Sequence, residues 1–206
     1  MLVVLKCTTN IFLIILREVN IVAIDLKLVE IEGKRQEYRE YIEKHRKNVK
    51  TVWLNILKNT DLRNMINAGM SGNQTGTVFE HIINQNIDIH DMSKYSIEEF
   101  EPYRKEFYSI DEEEKKDNKF DYALAWQHHK DNNKHHWNYW DERHINDEMP
   151  WTYVVEMFCD HAAMSIKFGG TALEWFTNQL NKKAIRVGIA QKDAYLKLAK
   201  LYYDKY

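Results

Sequence analysis

The amino-acid sequence predicts an all-α fold, a helical bundle that follows an N-terminal hydrophobic extension. The chain of 206 residues contains only two prolines and seven glycines, so few positions interrupt a helix. Apolar side chains recur at near-helical spacing, as in Tyr38, Ile42 and Val49. A chain of this length can bury a sizeable core in one domain. We therefore expect an extension over residues 1–34 and a helical domain over 35–206.

The extension over residues 1–34 is rich in β-branched and aliphatic side chains, but polar residues interrupt them. Its longest uninterrupted apolar stretch, residues 11–16, is much shorter than the roughly 20 residues that a membrane-spanning helix needs. The segment also lacks the small-residue cleavage site of a signal peptide. Three interpretations of this segment remain: it forms two short strands, it forms an arm that packs on the core, or it is translated from a start codon upstream of the domain. No membrane association is expected.

Further along the chain, helices are expected in order and separated by short loops. They span about 35–58, 77–90, a segment from 96 that Pro102 kinks or restarts, 119–131, 150–167, 171–181 and 191–204. Ser96 and Glu99 form a capping-box pattern, and Pro150 suits the first turn of a helix. The stretch GMSGNQTG at 69–76 predicts a loop, and the charged run DEEEKKDNK at 111–119 predicts a solvated linker.

Charge and cysteine content argue against several function classes. The chain has 29 Lys and Arg against 31 Asp and Glu, so we expect no basic surface for a nucleic-acid backbone. Cys7 and Cys159 are far apart and belong to no CxxC motif. They therefore predict neither a disulfide framework nor a thiolate zinc site. A reducing cytoplasm is the expected compartment.

Side chains that bind metals recur along the chain in a definite order. His45 lies on the apolar stripe of the first expected helix, and the doublet His90-Asp91 follows the second. Five of the nine histidines lie between 128 and 144, and Asp160 follows on a helix with an apolar face. Imidazoles and carboxylates without thiolates suit an open site for one or two divalent ions such as Mn, Fe, Co, Ni, Zn or Mg.

Spacing within the histidine-rich segment favours some ligands over their neighbours. On a helix over 119–131, His129 shares a face with apolar side chains, whereas His128 turns away. His129 is therefore the preferred ligand of this pair. The turn-like stretch DNNK leaves open whether His135, His136 or both bind.

The ordered set resembles the HD-domain superfamily of metal-dependent phosphohydrolases. That pattern is a helical histidine, a His-Asp doublet, two further histidine elements in two-metal members, and a final helical aspartate. The stretch HDMSK at 90–94 looks like the HDxxK form of many phosphodiesterase members. The layout of HDMSK, HHKDNNKHHWNYW and EMFCD is also similar to that of a family of uncharacterised phage and bacterial proteins. The likeness covers about 45–160 and implies an HD-like helical bundle.

Two features depart from the superfamily. The interval between His45 and His90 includes an extra glycine-rich loop, which separates these two expected ligands more widely than the superfamily's pattern does. No DGSGYP-like tail follows the histidine pairs, so the cyclic-di-GMP phosphodiesterase branch is not supported.

A site of this kind would hold one or two ions. Two histidines with Asp91 and Asp160 would bind one ion, and Asp91 would bridge to a second ion held by histidines of 128–136. Two ions roughly 3.5–4 Å apart clamp a phosphate and lower the pKa of bound water. Lys94 would face the phosphate as a point charge, and Glu156 would orient a ligand histidine or form a salt bridge. The expected metal ligands are His45, His90, Asp91, His129, His135, His136 and Asp160, and the expected catalytic residues are Asp91, Lys94 and Glu156.

These observations predict a metal-dependent phosphohydrolase that acts on a small, nucleotide-like phosphoester through metal-activated water. The alternative is a non-catalytic, phage-encoded helical protein that binds a nucleotide or a host partner. A ferritin-like di-iron enzyme is disfavoured, because no suitable Glu-x-x-His pairs occur. Trp137 or Trp140 beside the histidines could stack on a nucleobase. His81, His144 and His161 are expected to be structural.

Overall fold

Helices make up nearly all of the chain that the structure, a computed structural model, describes. It describes the backbone of residues 2–70, 72, 77–143 and 148–206, and the side chains of 26–70, 72, 77–141 and 148–206. This part contains ten α-helices, one 3₁₀ helix and no strand, which confirms the predicted all-α fold class. The helices are α1 (Leu2–Lys58), α2 (Thr60–Ala68), α3 (Val78–Ile89), the 3₁₀ helix (Met92–Tyr95), α4 (Phe100–Phe107), α5 (Glu112–Asp117), α6 (Lys119–Asn132), α7 (Trp137–Arg143), α8 (Trp151–Phe168), α9 (Ala172–Asn181) and α10 (Ile189–Tyr203).

Helix α1 runs through the expected boundary at residue 34 without a break. The strands considered for residues 1–34 are therefore wrong for Leu2 onward, because this segment contains no proline and only Gly33 to interrupt a helix. Leu26 and Val29 are exposed, whereas the apolar stripe is buried from Tyr38 onward. No helix in the described part of the chain is both long and apolar enough to cross a membrane.

The charged run at 111–119 is not a linker, because most of it forms helix α5. Asp111 caps this helix by accepting a hydrogen bond from the backbone N–H of Glu114 at 2.7 Å. The Glu114 carboxylate in turn accepts from the buried guanidinium of Arg104 on α4, at 2.6 and 2.8 Å. This tertiary ion pair fixes a segment that its composition alone marks as solvated.

The capping box expected from Ser96 and Glu99 does not form. Helix α4 begins at Phe100, and no side chain caps its N-terminus. The carboxylate of Glu99 is fully buried and lies against histidines of α6 instead. Helix α2, which the sequence did not predict, is capped by Asn59, whose side-chain oxygen accepts from the backbone N–H groups of Asp61 and Leu62.

The main hydrophobic core surrounds helix α8, which packs against α1, α3, α9 and α10. On α8, Val154, Phe158 and Ala162 are buried at helical spacing. Phe176 of α9 and Tyr195 of α10 stack with ring centroids 3.8 Å apart and complete this core. Burial of each large apolar side chain contributes roughly 1.5–3 kcal/mol, so these side chains anchor α8 firmly in the core.

A second, smaller cluster joins α1, α4 and α6 through Tyr38, Ile42, Tyr103 and Ala125. On helix α1, Ile42 belongs to this cluster, whereas Val49 belongs to the main core. His45 lies between them and is buried. The two cores thus meet at a polar position.

Candidate metal centre

The seven residues that the sequence predicts as metal ligands lie in one cluster at this meeting point. Six of them are buried or nearly so, and the Asp160 side chain is 13 % exposed. They come from five segments: His45 from α1, His90 and Asp91 from the end of α3, His129 from α6, His135 and His136 from the turn between α6 and α7, and Asp160 from α8.

A left-handed bend brings His90 and Asp91 into the cluster together. Helix α3 ends at Ile89, and the 3₁₀ helix begins at Met92. Between them Asp91 has φ 56° and ψ 19°, a conformation that aspartate tolerates better than most residues with a Cβ. Because the backbone at Asp91 is left-handed, the successive side chains of His90 and Asp91 reach the same centre.

The first group of donors contains His45, His90, Asp91 and Asp160. His45 Nε2 lies 3.0 Å from Asp160 Oδ1 and 3.6 Å from Asp91 Oδ2. His90 Nε2 lies 3.7 Å from Asp91 Oδ2 and 3.9 Å from Asp160 Oδ1. Two donors on one ion, each about 2.1 Å from it, stand roughly 3.0–3.4 Å apart. His45, His90 and Asp160 could therefore hold a metal ion after small adjustments.

The second group contains Asp91, His129, His135 and His136, which could also hold a metal ion. Asp91 Oδ1 lies 3.4 Å from His129 Nε2 and 3.7 Å from His135 Nε2. Asp91 thus turns Oδ2 to the first group and Oδ1 to the second. A carboxylate in this position can bridge two ions.

Several buried side-chain atoms of the cluster lack a hydrogen-bond partner in the described part of the chain, as expected where a cation binds. The Nε2 atoms of His90, His135 and His136 and Oδ1 of Asp91 are buried and have no hydrogen-bond partner among the described residues. Unpartnered buried polar atoms are costly. All four belong to the two donor groups, so the residues present fit divalent metal ions.

Two buried carboxylates, Glu156 and Glu99, orient the histidines of the two groups. Glu156 Oε1 lies 2.9 Å from Nδ1 of His90 and 3.1 Å from Nδ1 of His135. Glu99 Oε2 lies 2.8 Å from Nδ1 of His129. Since an ionised carboxylate only accepts, each Nδ1 carries the proton and each Nε2 presents its lone pair to the centre. His90, His135 and Glu156 also form a third group that could hold an ion, but their separations are those of hydrogen bonds.

Glu99 is a residue of the candidate site that sequence reasoning missed. Its other oxygen, Oε1, lies 2.8 Å from Nδ1 of His128, which is one-third exposed. Thus His129 reaches Asp91, and His128 binds Glu99 at the edge of the cluster. No spacing rule links Glu99 to a histidine 30 positions later, and the capping-box pattern suggested another role. Of the histidines expected to be structural, His81 is exposed on α3, and His144 lies outside the described residues.

Electrostatics favour the metal-binding forms of Asp91, Glu156 and His136, whereas His90 differs: burial lowers its pKa, but Asp91 and Glu156 raise it above 6.5. Burial alone would raise the pKa of the Asp91 carboxyl, but Lys94 and His90 hold it well below its usual range. Burial would also raise the pKa of Glu156, yet His135 and His90 bring it to about 2. Burial lowers the pKa of His136 well below 6.5. At neutral pH these carboxylates are ionised and His136 is neutral, as metal ligands must be.

Lys94 lies beside this cluster, three residues after Asp91. Its Nζ is 2.5 Å from Asp91 Oδ2, and its side chain is 13 % exposed. Burial lowers the pKa of Lys94, but Asp91 more than compensates and raises it above its ordinary value. The ammonium group therefore stays charged at the edge of the centre.

A cavity of about 440 Å³ opens onto the centre beside Lys94. Five of the seven candidate ligands also line it. We call it the tyrosine cavity, after Tyr38, Tyr41, Tyr103, Tyr108 and Tyr122 in its wall. Its volume lies within the range of small-molecule sites, roughly 300–1,000 Å³.

Comparisons with curated proteins and with solved structures give no match. One family profile does match, over residues 34–199. That span includes all seven candidate ligands together with Lys94, Glu99 and Glu156. Because it covers most of the sequence, the chain belongs to the family of unknown function (DUF5662).

Proposed function

We propose that the protein is a metal-dependent phosphohydrolase of the HD-domain type that hydrolyses a small, nucleotide-like phosphoester. The observation that carries this proposal is the position of Asp91, whose two oxygens face two separate donor groups. The order of ligands along the chain, which resembles that of the HD-domain superfamily, supports it as well.

The donor set indicates which ions the centre would take. Five imidazoles and two carboxylates form the two groups, whereas Mg²⁺ and Ca²⁺ prefer oxygen ligands. We therefore propose Mn, Fe, Co, Ni or Zn as the ions of the active protein. Bound divalent ions would neutralise charge on a phosphate and lower the pKa of an attacking water.

Asp91 and Lys94 have different proposed roles: Asp91 binds the metal ions, and Lys94 binds the substrate phosphate. Asp91 would give both oxygens to the ions, which frees the ammonium group of Lys94 from its ion pair. Lys94 lines the tyrosine cavity, so its Nζ can donate to a phosphate oxygen that enters from that side. In this position Lys94 acts as a point charge with three donors.

The tyrosine cavity supports a nucleotide-like substrate. The hydroxyl groups of Tyr38 and Tyr103 are buried and have no hydrogen-bond partner among the described residues. Burial raises the pKa of both phenols, so they stay protonated and can donate. Aromatic faces beside free hydroxyls suit a ligand with a planar ring and polar substituents, such as a nucleoside.

The proposed compartment is a reducing cytoplasm. Cys159 is a free, buried thiol next to Asp160, and burial raises its pKa well above the ordinary value. A neutral thiol of this kind does not compete with the imidazoles for the ions.

The test is metal analysis followed by a hydrolysis screen. Protein stripped of metal and reloaded with Mn²⁺, Fe²⁺, Co²⁺, Ni²⁺ or Zn²⁺ should bind about two ions per chain and hydrolyse nucleoside monophosphates, cyclic nucleotides or p-nitrophenyl esters. His90→Ala should abolish turnover and leave the helical circular dichroism signal unchanged. His81→Ala, an exposed histidine on the same helix, should keep full activity. A chain that binds no ion and hydrolyses none of these esters would contradict the proposal, and tight nucleotide binding without metal would favour the non-catalytic alternative.

A further inference from the structure

We propose that the substrate is a phosphodiester whose two ester groups occupy separate cavities on opposite sides of the metal centre. This inference rests on the proposed function and narrows its substrate class. It follows from a second cavity that shares a wall with the tyrosine cavity.

The second cavity also has a volume of about 440 Å³. We call it the tryptophan cavity, after Trp126, Trp137 and Trp175 in its wall. It includes Trp137, one of the two tryptophans expected to stack on a base, whereas Trp140 Nε1 donates to the backbone carbonyl of Lys134. A planar group can therefore pack against indole rings here.

The boundary between the two cavities passes through the metal centre. The residues that line both cavities are Trp126, His136, Asp160, Met164 and Phe168. Asp160 belongs to the first donor group and His136 to the second. A phosphate held by both groups would thus stand at the boundary, with one ester oxygen directed to each side.

This arrangement favours a diester over a monoester. A monoester carries one organic group, which would fill one cavity and leave the other facing the phosphate with water. A diester carries two such groups, and each cavity has the volume of a small-molecule site. The shared wall then acts as the divider between the leaving group and the retained group.

The two cavities differ in charge, which indicates how the two ester groups differ. Lys94 and Lys167 line the tyrosine cavity. The described residues of the tryptophan cavity include no lysine or arginine, and its wall contains the apolar side chain of Met157. The group in the tryptophan cavity is therefore uncharged and aromatic or apolar, whereas the group in the tyrosine cavity can carry a further anion.

The reaction needs water as its only co-reactant. The oxygen of water forms a new bond to phosphorus while the bond between phosphorus and the leaving oxygen breaks. The leaving alcohol takes one proton of the water, and the phosphomonoester product keeps the other.

The experiment compares the full-length, metal-loaded protein on two probes, bis(p-nitrophenyl) phosphate and p-nitrophenyl phosphate. We expect kcat/KM to be at least about tenfold higher for the diester. Trp175→Ala removes a half-exposed indole that lines only the tryptophan cavity. It should lower the ratio of diester to monoester kcat/KM about tenfold, as for loss of one aromatic stack. Ser165→Leu, which fills the same cavity from α8, should lower this ratio too. Phe120→Ala, an exposed aromatic on α6 outside both cavities, should leave the ratio unchanged.

The outcomes separate this inference from the proposed function. Preference for the monoester, or an equal loss of both activities in Trp175→Ala, would overturn the diester inference and leave a phosphohydrolase. If neither ester is hydrolysed, the proposed function fails, and calorimetric titration with the same two probes decides the inference by itself. Tighter binding of the diester that depends on Trp175 would support it, and equal binding of both probes would overturn it.

Discussion

The ammonium nitrogen of Lys94 lies 2.5 Å from Oδ2 of Asp91, a carboxylate whose two oxygens face the two donor groups. A cation in this position would compete with bound metal ions for Asp91 and would be released when they bind. Its proposed role is therefore at the substrate, and a variant can test that role apart from metal binding.

Replacement of Lys94 by methionine keeps much of the side chain's length and removes its charge. We expect kcat/KM for the preferred phosphoester to fall about 100-fold, the usual effect of losing one preorganised charge at a reacting centre. Metal content should stay at the wild-type level, because Asp91 loses a competitor. Steady-state kinetics with metal analysis of the same preparation checks both statements. Unchanged kcat/KM would show that Lys94 serves only the fold.

Glu156 and Glu99 form a matched pair of carboxylates behind the ligands. Glu156 holds His90 of the first group and His135 of the second, whereas Glu99 holds His129 of the second group alone. Glu156→Gln should weaken both ions about 10- to 100-fold, and Glu99→Gln should weaken one ion by a similar factor. Competition with a chelating dye measures the two affinities. Equal effects of the two variants on both ions would refute this assignment.

His129 and His128 are neighbours in sequence with different surroundings. His129 Nε2 lies 3.4 Å from Asp91 Oδ1, whereas His128 is partly exposed and contacts Glu99. His129→Ala should reduce the bound metal from about two ions to one, because it removes a ligand of the second group. His128→Ala should keep both ions. Inductively coupled plasma mass spectrometry on dialysed protein gives the counts, and loss of an ion in His128→Ala would reverse the assignment.

The fold class follows from local signals, and the structure confirms it. Expected helices such as 119–131 and 171–181 agree closely with α6 and α9, since period and capping residues act over a few positions. Helix α5 depends on the ion pair between Arg104 and Glu114, ten positions apart. A run of charged residues has no apolar side chains to show a helical period. The sequence pattern alone therefore does not reveal this helix.

The same distinction between local signals and tertiary contacts explains which residues of the candidate site could be predicted. Residue types and order predicted seven ligands, and the structure brings all seven into one cluster. The choice of His129 over His128 used helical periodicity, and the structure directs His129 to Asp91. The role of Glu99 could not be predicted, because it depends on a contact with His129, 30 positions later in the sequence. A tertiary contact of this kind leaves no periodic trace in one sequence.

We expect His161 to make the stability of the metal-free protein depend on pH. Burial lowers the pKa of this histidine from 6.5 to about 4, and its Nδ1 lies 2.9 Å from the Tyr195 hydroxyl. Because the unfolded chain binds a proton more readily than the folded one, stability is present above pH 6.5 and is lost as pH falls toward 4. The loss amounts to about 2–3 kcal/mol of unfolding free energy.

Urea denaturation between pH 7 and pH 4 measures this loss. His161→Gln should remove about 2–3 kcal/mol of the pH dependence, whereas His81→Gln, at an exposed position, should keep the wild-type dependence. An unaltered dependence in His161→Gln would show that other groups cause it.

The left-handed backbone at Asp91 limits what evolution can place there. Most side chains would strain this bend, and asparagine and glycine are the residues that fit it most readily. If the proposed metal chemistry were lost in a descendant of this chain, a single exchange of Asp91 for asparagine would erase the shared negative charge and preserve every helix around it. Among relatives with the same helices, aspartate at position 91 would then mark proteins that keep the proposed activity, and asparagine would mark proteins that have lost it.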